Sequence, residues 1–144
     1  MSAARTVNQS GKKTPFPVIG IGAAAGGLIP FEKVLETLPT DFDAAVVFIQ
    51  YFLADRKSLL SEVLRNKFPS RDIVRITNGM TIEKGKVYVN QPDHDITMES
   101  GHFRARRRRK TGVHLPIDTF FTSLAEAALE NAIVVILSGA GADG

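Results

Sequence analysis

The sequence predicts an α/β fold, a three-layer αβα sandwich with a mostly parallel sheet and a small antiparallel hairpin. Two observations carry this prediction. Short apolar runs of strand length alternate with longer segments whose apolar residues recur at helical spacing, which is typical of a parallel sheet covered by helices. In the middle of the chain, two strand-like runs flank Ser100-Gly101, a pair that favours a hairpin turn.

The predicted elements follow one another in a regular order. Buried strands are expected at Phe16–Gly22, Ala44–Gln50 and Ala132–Leu137, and a strand of alternating pattern at Asp72–Thr77. Helices are expected at Leu28–Leu38, Arg56–Lys67 and Ile117–Glu130. The second helix has Asp55 as its expected N-cap and an apolar face made of Leu59, Leu60, Val63 and Leu64. Shorter strands are expected at Lys86–Val89, Asp95–Glu99 and His102–Ala105. The alternation is Rossmann-like, and residues 16–144 form one predicted domain.

Three polar or glycine-rich segments are predicted to follow buried strands: Gly20–Gly27, Gln50–Leu53 and Ser138–Gly144. In parallel sheets the functional groups gather at the carboxyl ends of the strands. We therefore expect these segments to converge in space. The last strand has no later element in the sequence to cover it, so we expect a domain cut short at its C-terminus, with either an exposed strand or a partner chain that covers it.

The composition excludes several classes of protein. The 144 residues include no cysteine, which rules out disulfides, thiolate metal sites and cysteine nucleophiles. No run approaches the roughly 20 apolar residues that a membrane-spanning helix needs. The first 15 residues lack the apolar core of a signal peptide, and we interpret them as a flexible lead-in. A cytoplasmic location fits these features.

The net charge of +3 is dominated by one run, Arg104–Lys110, which reads RARRRRK. A basic cluster can bind phosphates or nucleic acid, but like charges also prefer a solvated loop, and a surface loop is what we expect here. Only Phe103 flanks the run, and no aromatic residue lies within it. Base stacking therefore has little support, and the pattern disfavours nucleic-acid binding.

The turn Gly20–Gly27 follows a strand and opens a helix, so its free N–H groups could bind an anion or stabilise an oxyanion. A dinucleotide site normally has an acidic residue at the end of the second strand, but Gln50 and Tyr51 occupy that place in this sequence. The third alternative is a tight packing turn without a ligand.

Other candidate groups give weaker signals. The three histidines, His94, His102 and His114, have no helical i, i+4 spacing, so neither a metal nor a cofactor is predicted. Asp143 lies in a glycine-rich loop, where aspartate is most often a turn residue and can also orient a histidine.

The strand-end segments together resemble those of the chemotaxis protein-glutamate methylesterases, the CheB family. The segment Gly20–Gly27 is similar to their G-I-G-A-S-A-G-G turn, Gln50-Tyr51 to their Q-H, and Ser138–Gly144 to their S-G-x-G-x-D-G loop. Further similarities in register run from Val18 to Gly144, at Asp55–Leu60, Asn78–Met80 and Val87–Val89. The segment His114–Glu126 looks most like versions fused to a methyltransferase domain.

The resemblance implies a Ser–His–Asp triad that hydrolyses glutamate methyl esters on chemoreceptor helices. Carried over by position, the nucleophile falls on Ala24, the base on Tyr51 and the acid on Asp143. The backbone near Ala25 and Ala140 corresponds to the oxyanion donors. Alanine has no nucleophilic atom, and a phenol holds its proton at neutral pH. We therefore expect an inactive or severely impaired domain.

Three hypotheses remain open from the sequence. The first is a methylesterase-like binding or regulatory domain whose partner is a methylated chemoreceptor helix or another signalling protein, with an adjoining methyltransferase domain in the full-length protein. The second is an active methylesterase whose serine and histidine have been replaced. The third keeps the fold and binds an anionic ligand at the glycine turn, with the help of Arg104–Lys110.

Overall fold

A computed structural model describes residues 14–24, 26–51, 59–109 and 112–137. Its strands are β1 (Val18–Ala23), β2 (Ala45–Gln50), β3 (Asp72–Arg75), β4 (Lys86–Val89), β5 (His94–Glu99), β6 (His102–Arg107) and β7 (Ala132–Leu137). Its helices are α1 (Leu28–Thr37), α2 (Leu60–Lys67) and α3 (Pro116–Ala128), and a 3₁₀ turn, Leu129–Asn131, follows α3. Five of the described strands form a sheet in the order β3-β4-β2-β1-β7, and every neighbouring pair in it is parallel.

The sheet has an apolar core on each face. Strand β2 contributes side chains to both cores, because successive side chains of a strand point to opposite faces of the sheet. Val46 and Phe48 pack with α1 and α2, and the ring of Phe48 stacks on that of Phe31 with centroids 3.8 Å apart. Val47 and Ile49 pack with α3 on the other face. The predicted three-layer α/β fold is therefore confirmed.

The predicted hairpin is formed by β5 and β6. These strands are antiparallel, and their turn at Ser100-Gly101 has positive φ angles of 50° and 78°. Its inward residues Ile96, Met98 and Phe103 join the core on the α3 side of the sheet. The placement of the whole basic run in a loop was wrong, because β6 continues to Arg107. Strand pairing tolerates these arginines since Phe103 and Ala105 fill the inward positions, while Arg104 and Arg106 stay exposed.

Helix α2 buries a narrower face than its pattern predicted. Leu60 and Leu64 are buried, but Leu59 and Val63 are 61% and 47% exposed. The two pairs form adjacent stripes on the helix, and only one of them faces the sheet. The predicted N-cap Asp55 and the first residues of the predicted helix lie outside the described part of the chain.

Strand β7 lies at one side of the sheet, paired only with β1 among the described strands. Its four middle residues are apolar and exposed: Ile133, Val134, Val135 and Ile136.

The buried tyrosine Tyr88 supports one prediction about stability. Its hydroxyl accepts a 2.7 Å hydrogen bond from the backbone N–H of Glu83, and its ring packs against Phe103. Tyr88→Phe should lower the free energy of unfolding by about 1–2 kcal/mol at neutral pH, because the Glu83 N–H loses its acceptor. Urea unfolding would measure this, with the exposed Tyr51→Phe as the matched control, for which little change is expected.

The same residue makes stability depend on alkaline pH. Burial raises the pKa of the Tyr88 hydroxyl above its ordinary value of 10.0, so the folded state keeps the proton to higher pH than the unfolded state does. The contribution of the Tyr88 hydroxyl to the free energy of unfolding is complete below about pH 10, and it is lost as the pH rises through the folded-state pKa. The Tyr88→Phe variant should lack this part of the loss of stability at alkaline pH. If the free energy of unfolding depended on pH in the same way in both proteins, the assignment of the effect to Tyr88 would be contradicted.

Candidate functional site

The site is built where the central strands end. Strand β1 lies between β2 and β7, and its last residue, Ala23, is in register with Gln50 on one side and Leu137 on the other. The N–H of Tyr51 donates a 2.9 Å hydrogen bond to the carbonyl of Ala23. Ala24 and Tyr51 therefore leave neighbouring strands at the same carboxyl end of the sheet.

Of the predicted site residues, Ala24 and Tyr51 are the two that the structure describes and brings together. Asp143, Ala25 and Ala140 lie outside the described residues, as does the segment Ser138–Gly144. The residue before that segment, Leu137, ends β7 level with the end of β1.

The topology makes this end of the sheet a suitable place for a ligand. From β1 the chain moves to β2 on one side, and it later returns to place β7 on the other side of β1. Such a reversal opens a crevice outside the carboxyl ends of the strands, where α/β proteins bind their ligands. Helix α1 starts just after β1, and Ile117, near the start of α3, lies against Gly22.

Close packing accounts for much of the glycine pattern. A Cβ on Gly22 would lie 2.5 Å from Cγ2 of Ile117, and one on Gly27 would lie 2.2 Å from Cβ of Ala23. Gly26 has a φ of +90°, which favours glycine. The glycines thus bring α1 and α3 close to β1, which supports the packing interpretation of the turn.

A residue that sequence reasoning missed, Asn90, fixes the end of β2. Its side chain is buried, accepts a hydrogen bond from the N–H of Gln50 and donates one to the carbonyl of Gln50, both at 2.9 Å. The end of β2 is thereby joined to the end of β4, and Tyr51 follows directly. The only signal in the sequence was an asparagine immediately after the strand Val87-Tyr88-Val89.

Histidine and other ligand-type side chains do not converge in the described ranges. The Nδ1 atoms of His94 and His102 each lie 2.9 Å from a backbone carbonyl two residues earlier. Within residues 14–24, 26–51, 59–109 and 112–137, no group of three or more His, Cys, Asp or Glu side chains is placed to hold a metal ion. No helix in the same ranges is long and apolar enough to cross a membrane.

The chemistry available from the two described site residues is limited. Ala24 is partly buried and presents only a methyl group, whereas Tyr51 is 37% exposed. Acyl transfer by a triad needs a nucleophilic oxygen or sulfur and a base that takes its proton. Ala24 has no such atom, and the polar group of Tyr51 is a phenol.

A doubly wound parallel sheet with a strand-end crevice defines the class of open α/β proteins, in which ligands bind outside the carboxyl ends of the strands. Within that class, residues 19–144 match the model of the CheB methylesterase family. The chain belongs to this family, as its motifs indicated.

Individual relatives agree with this membership. The chain is 33% identical over 131 residues to protein-glutamate methylesterase/protein-glutamine glutaminase 4 of Burkholderia thailandensis, an alignment that covers 89% of this chain and 38% of that protein. It is 33% identical over 137 residues to the corresponding protein 1 of Xanthomonas euvesicatoria pv. vesicatoria, with 92% and 38% covered. The chain thus spans well under half the length of these two relatives.

A solved structure supports the fold. The crystal structure of the Thermotoga maritima CheB methylesterase catalytic domain superposes with a TM-score of 0.73 and 22% sequence identity, over 91% of this chain and 71% of that one. At this identity the likeness establishes the fold alone.

Proposed function

We propose that this chain is a methylesterase-family domain that holds a segment of a signalling protein at its strand-end site and does not hydrolyse it. One observation carries the proposal. Ala24 and Tyr51, which occupy the positions of the family's nucleophile and base by resemblance, stand side by side at the ends of β1 and β2. Their arrangement retains the scaffold of the site, while their side chains lack its reactive groups.

The magnitude of the loss supports inactivity. Removing the nucleophile of a serine triad costs about a million-fold in rate, and the activity that remains comes from oxyanion donors and binding. The relatives' names cover both ester and amide hydrolysis at glutamate and glutamine side chains. Both reactions attack an acyl carbon, so the same replacement should abolish both.

The proposal extends to the setting of the domain. Methylated chemoreceptor helices are the segments we expect it to hold, within bacterial chemotaxis or related sensory signalling in the cytoplasm. The resemblance of His114–Glu126 to methyltransferase-fused versions favours an adjoining methyltransferase domain in the same signalling protein.

A methyl-ester assay tests the proposal. The chain and a serine-containing member of the family would be incubated with methylated chemoreceptor, and the release of methanol would be measured. We expect release from this chain to be about a million-fold slower than from an active triad, because only oxyanion donors and binding could still contribute. A fluorophosphonate probe, which labels activated serines, should label the active relative and leave this chain unlabelled.

The two readouts make the proposal refutable. Methanol release at a rate typical of the active relative would overturn the inactive assignment, whatever residue carried it. Labelling of this chain by the fluorophosphonate probe would also overturn the inactive assignment, and it would identify the reactive serine. Retention of methylated receptor on the immobilised chain, without release of methanol, is the positive result.

A further inference from the structure

We propose that strand β7 is a pairing edge for a second copy of this chain, so that two β7 strands align antiparallel about a two-fold axis. Among the described strands, β7 pairs only with β1, and the backbone groups on its outer edge are therefore open to a partner. Its four middle residues are between 37% and 53% exposed, whereas almost every residue of the neighbouring β1 is buried. This inference does not depend on the proposed function, which concerns the carboxyl end of the sheet.

The two edges of the described sheet differ in how they resist pairing. Strand β3, at the edge opposite β7, has only four residues, begins with Asp72 and ends with Arg75. The Nη1 atom of Arg65 also donates a 3.3 Å hydrogen bond to the carbonyl of Ile73 in that strand. Short length, charged residues and a covering side chain are features that keep an edge strand from pairing with another chain. Strand β7 has six residues with no charge, proline or glycine among them, so it lacks these protections.

The exposed side chains of β7 determine which kind of strand can pair with it. Because side chains alternate along a strand, Ile133 and Val135 lie on one face of the sheet, and Val134 and Ile136 lie on the other. Apolar surface is therefore open to water on both faces. A partner strand must be apolar on both faces as well, since a charged residue on either face would be desolvated against these side chains. A peptide strand with one polar face does not meet this requirement, whereas β7 of a second copy does.

Two-fold symmetry makes β7 complementary to itself. In an antiparallel pair about a two-fold axis, one residue faces its own counterpart, and every other residue faces a residue from the same side of the sheet. Whether the axis passes Val134 or Val135, each of the four exposed residues then opposes an apolar residue of the other β7, and no like charges meet. Because β3 is protected, each copy offers one such edge, and the assembly closes at two chains.

The length of β7 sets the expected affinity of the dimer. Its six residues extend for about 20 Å, and an edge of this length buries less than the roughly 800 Å² per partner of a standard protein complex. We therefore expect a dissociation constant of about 10–100 µM, so that the dimer forms and separates with concentration. Because the two copies run antiparallel, their strand-end sites lie at opposite ends of the joined sheet and remain separate.

Sedimentation equilibrium of the 144-residue chain tests the inference. Between about 1 µM and about 300 µM, the average mass should rise from that of one chain toward that of two and should then level off. Hydrogen exchange at the two ends of this range locates the contact. Backbone amides on the outer edge of β7 should exchange more slowly at the higher concentration, and those of β3 should exchange at the same rate.

Matched variants test the two-fold arrangement. Val134→Lys places like charges near the axis and should raise the dissociation constant at least about tenfold. The control, Val63→Lys on α2, changes a residue of similar exposure and should alter the dissociation constant less than about twofold. Val134→Glu alone should also prevent pairing, but an equimolar mixture of the Lys and Glu variants should form dimers, because opposite charges then meet across the axis. Circular dichroism would check that each variant folds.

The mass of one chain at every concentration would overturn the inference, whether another segment of the chain or an unrelated partner covers β7. Equal weakening by Val134→Lys and Val63→Lys, or a folded mixture of the Lys and Glu variants that stays monomeric, would overturn it too. A mass that keeps growing beyond two chains would contradict the closed dimer. None of these measurements involves ester hydrolysis, so a monomeric chain would refute this inference alone, and methanol release would refute the proposed function alone.

Discussion

Gly22→Ala is expected to lower the free energy of unfolding by about 2–3 kcal/mol, a large effect for the addition of one methyl group. The new Cβ would lie 2.5 Å from Cγ2 of Ile117 and 3.2 Å from the ring of Phe121. Both neighbours belong to α3, which packs on this face of the sheet. Since packed interiors have little spare volume, either the helix or the strand must shift, and the shift would occur beside Ala24.

A double-mutant cycle in urea would identify the cause. Ile117→Ala alone should destabilise the protein, because it leaves a cavity in the core on the α3 side. Combined with Gly22→Ala, it removes the clashing Cγ2 atom, so the double variant should be less destabilised than the sum of the two single variants. Strict additivity would show that the clash with Ile117 does not explain the effect.

Asn90→Ala is expected to lower the free energy of unfolding by about 3 kcal/mol, because it removes the partner of both the N–H and the carbonyl of Gln50 in a partly buried setting. The end of β2 would loosen, and the bond from the N–H of Tyr51 to the carbonyl of Ala23 should open more often. Chemical denaturation would measure the first effect, and hydrogen exchange at the Tyr51 amide the second.

Asn78→Ala provides the comparison for this substitution. That asparagine is exposed and accepts one hydrogen bond, from the N–H of Ala105, at 3.0 Å. Its replacement should cost less than about 1 kcal/mol and leave exchange at Tyr51 unchanged. If the two variants lost similar stability, the bridge made by Asn90 would have no special importance for the end of β2.

The succession of strands and helices was predictable because their signals are local. Apolar runs such as Ala44–Gln50 are buried on both faces of a parallel sheet, and the helical spacing in Leu28–Leu38 matches α1 closely. The Ser100-Gly101 turn was also predictable, because the turn needs a positive φ and few residues other than glycine adopt one easily. In each case the physical cause lies within a few residues of the effect.

The remaining features depend on contacts between distant parts of the chain. Nothing local distinguishes Leu60 from Leu59, and only the position of the sheet decides which one is buried. Asn90 reads as an ordinary polar residue after a strand, because its partner Gln50 is 40 residues away. The arginines of β6 suggested a loop, although pairing with β5 and the inward Phe103 keep them in a strand.

At the site, the convergence of Ala24 and Tyr51 could be predicted from the rule that parallel strands end together. Their side-by-side register could not, because it depends on how β1 and β2 align. The structure brings Arg106 and Arg107 to this end of the sheet at the end of β6, whereas the sequence analysis expected them in a surface loop that one hypothesis placed beside the glycine turn.

The pairing of β1 with β7 also has a consequence for the order of folding. Val18 pairs with Ala132, so two adjacent strands of the sheet come from segments that are far apart in the sequence. A contact between residues so far apart closes a long loop, and such contacts form late and slow the folding of a domain. During synthesis, β1 and β2 can pair early through α1, but the crevice beside Ala24 acquires its second wall only when β7 has left the ribosome.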